Sequence, residues 1–260
     1  MDKRENAAIF VKKRLWGFEE VLAVIDFHTH IVPAVDDGAE TLAESLEMLA
    51  FAARHGTKEI VLTPHDPLGP YGCGSIEKYT ASMTAFLDNP QVKELPIVFH
   101  RGCELYAGHE ILGRIEREEL ITVDDTRCVL MEFPTEASFS YIKNVLGAAR
   151  EKGYRPILAH AERYCCLQED HNRAESLAMS GVKIQVNAES IIGQNDQYCL
   201  SAANSMLGRN IVTLVASDAH DMYMRRPDLS NAHAEICCRF SVSRAERLFR
   251  ENPQKLLENQ

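Results

Sequence analysis

The residues best equipped for chemistry fall in short, separated groups: His28-Thr29-His30, Asp36-Asp37-Gly38, His65, Glu104, Glu132, His160 and Asp218-Ala219-His220. Counted as donors, His28, His30, Asp37, His65, Glu104, Glu132, His160, Asp218 and His220 give nine imidazoles and carboxylates. That is more than one ion can use, and enough for two or three divalent cations if a carboxylate bridges. Imidazole with carboxylate suits zinc, manganese or iron, and no cysteine is required, which speaks against a closed structural zinc site. Residues two apart on a strand share a face, so His28 with His30, and Asp218 with His220, can each reach one ion together. Each signal is weak alone. A lone histidine at a strand end is usually a hydrogen-bonded core or surface residue, and Asp-Asp-Gly alone is a turn. The reading rests on their concurrence.

Short apolar runs are needed to position these donors, and the chain supplies seven, over residues 21–27, 59–63, 95–103, 128–133, 156–159, 182–186 and 211–216. Between them lie amphipathic stretches of helical period, including 42–55, 76–87, 136–152, 174–180 and 197–208, several closed by a glycine. Strand then helix, repeated without a composition break, predicts one α/β domain with a parallel sheet, a seven-stranded (β/α)7 barrel. The donors then stand at the C-terminal ends of the strands, the rim where such barrels carry their chemistry. Only the sixth strand, ending near Asn187, supplies no obvious ligand. Residues 222–228 read as a loop, followed by helical sequence in which Phe240, Ala245, Leu248 and Phe249 make an apolar face. Pro253 is expected to interrupt or end the last helix.

The bulk properties exclude several classes. The chain has 260 residues, 28 Lys+Arg against 38 Asp+Glu, a formal charge of −10, and 45% hydrophobic with 25% charged residues, which describes a folded domain of 21–260 rather than a disordered or repetitive chain. The negative balance argues against nucleic acid as a partner, while leaving room for a local positive pocket. Eight cysteines, with Cys165–Cys166 and Cys237–Cys238 adjacent, are too dilute for a disulfide scaffold, so a reduced, cytoplasmic setting is expected. Residues 1–20 carry charges throughout and read as a lead-in segment that packs Trp16 on the domain, with neither a signal peptide nor a membrane-spanning run anywhere. No glycine-rich phosphate loop is present, which removes the main support for a kinase or dehydrogenase. His55, His100, His109, His171 and His233 stand outside the donor pattern, and none of the cysteines is expected to act as a nucleophile.

The string Asp26-Phe27-His28-Thr29-His30-Ile31-Val32-Pro33-Ala34-Val35-Asp36-Asp37-Gly38 resembles the signature of the polymerase and histidinol phosphatase (PHP) superfamily of trinuclear metallohydrolases. Its Asp-Asp-Gly ending is closest to the bacterial tyrosine-protein phosphatases of capsule and exopolysaccharide operons. The resemblance covers about residues 22–250, with the motifs in family order. It implies a distorted PHP-type barrel with one metal on His28, His30, Glu104 and Asp218, a second on Glu104, Glu132 and His160, and a third on Asp37, His65 and His220. It also implies phosphate-holding arginines, matched by Arg163 and by Arg225, with Arg226 the neighbouring alternative. One departure shows: the family often has a polar basic residue after the motif-two histidine, where this chain has Asp66, which changes the charge expected at that corner.

The function implied is hydrolysis of phosphotyrosine on a protein by metal-activated water, with two or three divalent ions, manganese foremost and iron or zinc as alternatives. Asp37, His65 and His220 are placed to orient water or move a proton as well as to ligate. The expected partner is a phosphotyrosine-bearing protein, the tail of a bacterial tyrosine autokinase controlling polysaccharide export. The alternatives are a small-molecule phosphatase of the same superfamily, such as one acting on histidinol phosphate, and a regulatory phosphoprotein-binding module. A metal-dependent amidohydrolase also begins with His-x-His, but the glutamates and the final Asp-Ala-His fit it less well.

Overall fold

A computed structural model describes residues 22–124 and 126–258, so the lead-in expected over 1–20 lies outside the described residues. Parallel pairing organises the chain. Strands β1 (Val24–Thr29), β2 (Thr57–Leu62) and β3 (Val98–Arg101) form one sheet in that order. Strands β4 (Glu104–Tyr106), β5 (Cys128–Glu132), β6 (Arg155–Leu158), β7 (Lys183–Asn187) and β8 (Leu214–Ala216) form the other.

The single α/β domain with parallel strands is as expected, but the single strand expected over 95–103 is two, so that among the described residues eight strands lie in two sheets where seven in one barrel were expected. The cause lies at Pro64. Pairing of β3 on β2 runs to Leu62–Arg101 and extends through Gly102 N–H to the Leu62 carbonyl at 2.9 Å. Pro64 then has no N–H to continue the ladder and can only accept, from Glu104 N–H at 3.1 Å. Past that point the ladder thins to the single bridge His65–Glu104, with Asp66 N–H on the Glu104 carbonyl at 2.8 Å, while Glu104 takes Leu130 of β5 as a second partner. Gly102 permits the crossing, since a Cβ there would lie 3.0 Å from Val61 Cγ1 and 3.1 Å from Thr63 Cγ2. The regular ladders do not close into a barrel; isolated bridges His65–Glu104 and Thr29–Ala219 draw the two sheets together.

The helices form where the sequence caps them. Thr41, Ser75, Ser138, Asp170 and Asp196 each accept a backbone N–H at the start of α1 (Leu42–Arg54), α2 (Ile76–Asp88), α3 (Phe139–Glu151), α4 (His171–Met179) and α5 (Gln197–Gly208). Gly56, Gly153 and Gly181, at φ of 99°, 81° and 95°, take the left-handed position that follows α1, α3 and α4. Met48, Leu49, Val145, Leu146, Met206 and Leu207 from these helices pack on Ile60, Leu62, Val129, Met131, Ile184 and Val186 of the strands. A second cluster of Ile25, Phe27, Val61, Leu130, Ile157, Leu214 and Ala216 joins strands of both sheets to Leu256.

Residues 222–228 lie outside regular structure, as expected, and lead into α6 (Ser230–Arg239). Ala245, Leu248 and Phe249 are buried as expected, whereas Phe240 is half-buried beneath Arg244, whose guanidinium carbon is 4.2 Å from its ring centroid. Pro253 marks an interruption, one of the two outcomes expected, rather than an end: the helix Val242–Glu246 gives way before it and a new helix begins at it. It stands in the first turn of the helix Asn252–Leu257, where its missing N–H costs nothing, after a wide π turn over Arg247–Glu251.

His100 of β3 clips the sheet edge to the loop before β5, its Nδ1 2.7 Å from Asp124 and its Nε2 3.0 Å from Glu59. Burial opposes its charge, but the bonds to Asp124 and Glu59 outweigh burial and raise its pKa, while His100 outweighs the burial of Asp124 and lowers that carboxyl. The contribution of His100 is therefore full below about pH 6.5 and fades as pH rises through the folded value, and that of Asp124 is lost as pH falls below the usual carboxylate range. With Asp124 partly in solvent, H100Q should cost about 1 kcal/mol at about pH 6 and less at about pH 9. Urea unfolding at both pH values tests this, and an equal cost at both would show that the pairing is not ionic.

Candidate metal centre

Each donor is delivered by a strand end or the loop behind it. His28 lies in β1 and His30 just beyond it, and the chain then folds back so that Ala34 N–H meets Ala39 O at 2.9 Å and Ala39 N–H meets His30 O at 3.1 Å. Gly38 makes that return possible: a Cβ there would lie 2.1 Å from the His30 carbonyl oxygen. The return brings Asp37 to His65, which follows β2, and to His220, which follows β8. Glu104 opens β4 and Glu132 closes β5. His160 and Asp218 follow β6 and β8 with left-handed backbones, φ 31° and 55°. Such conformations cost about 1–3 kcal/mol each in non-glycine residues and cluster at functional sites. Here His160 N–H is held by Gln185 Oε1 at 2.7 Å and Asp218 N–H by the His28 carbonyl at 2.9 Å.

Three overlapping donor sets result, each with its ligand atoms within 4.8 Å of one another: His28, His30, Glu104 and Asp218; His30, Asp37, His65 and His220; and His65, Glu104 and Glu132. The first is the set implied by the family signature. The second adds His30 to the expected trio. In the third, His65 appears where His160 was expected, although His160 Nε2 is 2.8 Å from Glu104 and 3.8 Å from Glu132. Every one of the nine expected donors thus belongs to one connected centre.

The donor chemistry fits divalent ions. His30 Nδ1 is 2.7 Å from Asp36 Oδ2, His220 Nδ1 is 2.9 Å from the Asp218 carbonyl, and His28 Nδ1 is 3.2 Å from Gln185 Oε1. With each Nδ1–H donating outward, each Nε2 presents a lone pair to the centre. The Nε2 atoms of His28 and His30 face each other at 3.1 Å, within 3.2–3.5 Å of Glu104 Oε2 and Asp218 Oδ1. Lone pairs converging on carboxylate oxygens call for a cation between them. Buried and without hydrogen-bond partners in the same place are His65 Nδ1, Glu104 Oε2, Glu132 Oε1, His160 Nδ1 and His220 Nε2.

The electrostatics tell the same story. Burial opposes ionisation of Glu104 and Asp218, yet His28 outweighs it and holds both carboxyls well below their usual range. His220 and His65, with Nε2 atoms 3.4 and 3.3 Å from Asp37 Oδ1, hold that carboxyl below its usual range. Burial pulls His65 down, but Asp37 and Glu132 push it up to about 10; burial and the neighbouring charge of His30 bring His220 down to about 4. Protons and metal ions satisfy the same carboxylates, so metal loading must release protons and weaken as pH falls.

Several residues matter that sequence reasoning missed. Asp36 has no role of its own in the donor pattern, but its side chain is buried, orients His30, and accepts the N–H groups of His65 and Gly38 at 2.9 and 3.0 Å. The doubled aspartate was the available signal, one carboxylate to ligate and one to orient. The strand that gives no ligand, β7, gives Gln185 and Asn187 instead. Gln185 holds His28 and His160, and Asn187 donates to Asp218 at 2.9 Å and accepts from Gln185 at 2.7 Å. Two amides spaced by one residue in a buried strand were the trace. Arg163 and Arg225 approach Asp218 Oδ2 at 3.5 and 3.6 Å, and Arg225 also reaches Asp37 at 3.9 Å. Arg226, the neighbouring alternative, is exposed. Asp66, where the family often has a basic residue, is buried and paired with Arg114.

The family model described as "Capsular polysaccharide synthesis, CpsB/CapC" matches residues 24–258. The chain belongs to this family. Among CpsB/CapC relatives, the tyrosine-protein phosphatase CpsB of Streptococcus agalactiae serotype V is 33% identical over 242 residues, 91% of this chain and 99% of that one. The tyrosine-protein phosphatase YwqE of Bacillus subtilis is 30% identical over 238 residues, 91% of this chain and 92% of that one. A solved structure from work on YwqE of Bacillus subtilis and CpsB of Streptococcus pneumoniae, described as unique metal-dependent tyrosine phosphatases, superposes with a TM-score of 0.77 at 29% identity, covering 91% of this chain and 95% of that one. The phosphotriesterase homology protein of Escherichia coli, at 14% identity and TM-score 0.55 over 92% of this chain and 99% of its own, shares the fold alone. The resemblance read from residues 26–38 to the capsule-operon tyrosine phosphatases is borne out.

Asp36 provides the test of the orienting layer. D36N keeps the shape of the loop but loses the carboxylate that fixes His30, and should lower metal affinity by about 10–100-fold. Calorimetric titration of metal-stripped protein with manganese measures this; unchanged affinity would remove Asp36 from that role.

Proposed function

We infer that this chain is a metal-dependent protein-tyrosine phosphatase of capsule or exopolysaccharide synthesis. The observation that carries the reading is the convergence of imidazole lone pairs and carboxylates on one centre, with Arg163 and Arg225 meeting at Asp218 beside it. Its relatives' activity gives the reaction class. The nine donors His28, His30, Asp37, His65, Glu104, Glu132, His160, Asp218 and His220 would hold two or three divalent ions, manganese first, within a distorted PHP-type barrel whose two sheets are joined by isolated bridges rather than by a closed ladder. Such ions neutralise charge on the phosphoryl oxygens and make water acidic enough to attack phosphorus at neutral pH.

The rest is done by the chain. Arg163 and Arg225 are partly exposed, at 43% and 33% of their side chains, so their planar donor forks can turn from Asp218 to the non-bridging oxygens of a bound phosphate. Charge on those oxygens grows in the transition state, where fixed donors act most strongly. Asp37, half-exposed and paired with His65 and His220 at the mouth, shares with those two histidines the work of orienting water and moving its proton. The thiols take no part: buried Cys103 and Cys128 are pushed up by burial, and Cys165 and Cys166, which open a short helix after Arg163, belong to none of the donor sets. The leaving phenolate is stable enough to depart with weak acid assistance. The phosphotyrosine is that of a bacterial tyrosine autokinase tail, met in the cytoplasm; among the described residues no helix is long and apolar enough to cross a membrane.

Turnover of a phosphotyrosyl peptide after chelation and manganese add-back, with metal content measured on the same sample, tests the reading. Activity should vanish with the metal and return with it, and histidinol phosphate should be ignored. H28A should lose metal and activity together, while R163A should keep its metal and lose about 10²–10³ in kcat/KM. Full turnover in H28A at normal metal supply would overturn the centre, and unchanged KM and kcat in R163A would overturn the arginine's role.

A further inference from the structure

Tyr71 stands beside the centre and has no part in anything above. Its ring lies 5.2 Å from that of His65, tilted by 42°, and 56% of the residue is exposed. His65 belongs to two of the three donor sets, so this ring borders the place where a phosphate would sit.

The loop that carries Tyr71 is built to hold it there. Asp66, fixed by Arg114, accepts the N–H of Leu68 at 3.1 Å and of Tyr106 at 3.3 Å through its carboxylate, and the N–H of Gly69 at 2.8 Å through its carbonyl. Gly74 N–H closes the loop on Pro67 O at 2.8 Å. Gly72 has no room for a side chain, since a Cβ would lie 1.9 Å from Asp66 O, and a Cβ on Gly69 would lie 3.0 Å from Tyr106 Cβ. The loop therefore folds onto its own base and against Tyr106. Tyr71 is presented by a closed backbone, and little conformational entropy remains to be lost when a ligand meets it.

We propose that Tyr71 is a specificity-determining residue whose ring receives the aromatic ring of the phosphotyrosyl substrate and favours aryl over alkyl phosphate esters. The proposal rests on the phosphatase reading. In a phosphotyrosyl side chain one oxygen joins the ring to phosphorus, so a phosphate at the donors and arginines leaves its ring at the edge of the centre, where Tyr71 stands. Aromatic rings pair edge-to-face or offset with centroids about 4.5–7 Å apart, and an aliphatic ester offers no such partner. Tyr71 touches the ring and not the phosphorus, so it acts on recognition of the ester and leaves the phosphate contacts alone.

The probes are phenylphosphonate, which carries the aryl group and is not hydrolysed, and inorganic phosphate, which lacks it. Calorimetric titration of each into manganese-loaded protein gives a ratio of affinities that does not depend on turnover. Y71A should weaken phenylphosphonate by about two- to tenfold, the range for one aromatic pair, and leave inorganic phosphate in place. Y71F, which keeps the ring face, should retain the wild-type ratio. Equal weakening of both ligands in Y71A would mean a collapsed loop, and no change in either would mean that the ring is not read; both outcomes overturn the proposal. The reading beneath it is tested separately, because failure of the unaltered, metal-loaded protein to hydrolyse a phosphotyrosyl peptide would sink the phosphatase assignment while the affinity ratio still decides on Tyr71.

Discussion

Glu104 is the interaction on which the rest depends. One buried carboxylate lies within 3.3 Å of four imidazoles: Oε2 at 3.2 Å from His28, 3.3 Å from His30 and 3.1 Å from His65, and Oε1 at 2.8 Å from His160. These histidines come from three different strand ends, so a single side chain ties both sheets to one point. Glu104 is also the residue that pairs on both sides, bridged to His65 just after β2 and laddered to Leu130 of β5. The junction of the two sheets and the donor hub coincide.

Around that hub, a layer of neutral and acidic groups fixes geometry without supplying ligands. Asp36, Gln185 and Asn187 hold His30, His28, His160 and Asp218 in place, and Glu162, buried beneath, accepts from Ser190 Oγ at 2.6 Å and Asn187 N–H at 3.0 Å. Asp26 ties β1 to the Asp218 turn through Ser217 N–H at 3.0 Å, and burial pushes its carboxyl up to about 6. A buried group left without such partners costs more than the bond it would have made, so the layer must be nearly complete for the left-handed turns at His160 and Asp218 to persist.

The sequence makes the donors legible because they recur at strand ends with types that have few bland explanations in combination. His28 and His30 flank one residue, Asp218 and His220 do the same, and each pair announces one face. The helices are legible for a local reason as well: their caps and their closing glycines lie within a turn of the elements they bound. What escaped is non-local. Whether 95–103 is one strand depends on the missing N–H of Pro64 on a neighbouring strand, and nothing inside the run records it. Asp66 reads as a departure from the family, and its pairing with Arg114, 48 residues away, leaves no local sign. Pro253 reads equally as an interruption or an end, because a wide turn before it cannot be foreseen from the residues that form it.

Charge arithmetic at the centre explains why more than one ion suits binding as well as chemistry. Without metal, the carboxylates outweigh burial and raise His28, His30 and His65, so imidazole protons offset part of the negative charge; metal displaces those protons. With the imidazoles neutral, Asp36, Asp37, Glu104, Glu132 and Asp218 carry −5, and Arg163 with Arg225 return +2, so 2 − 5 = −3 before the ions are counted, a charge that opposes an anionic phosphate monoester. One divalent ion leaves the pocket at −1; a second brings it to +1. The sign of the field at the arginines therefore turns only when two ions are held, and the overlap of the donor sets at Glu104, His30 and His65 is what allows two or more to be held so close together.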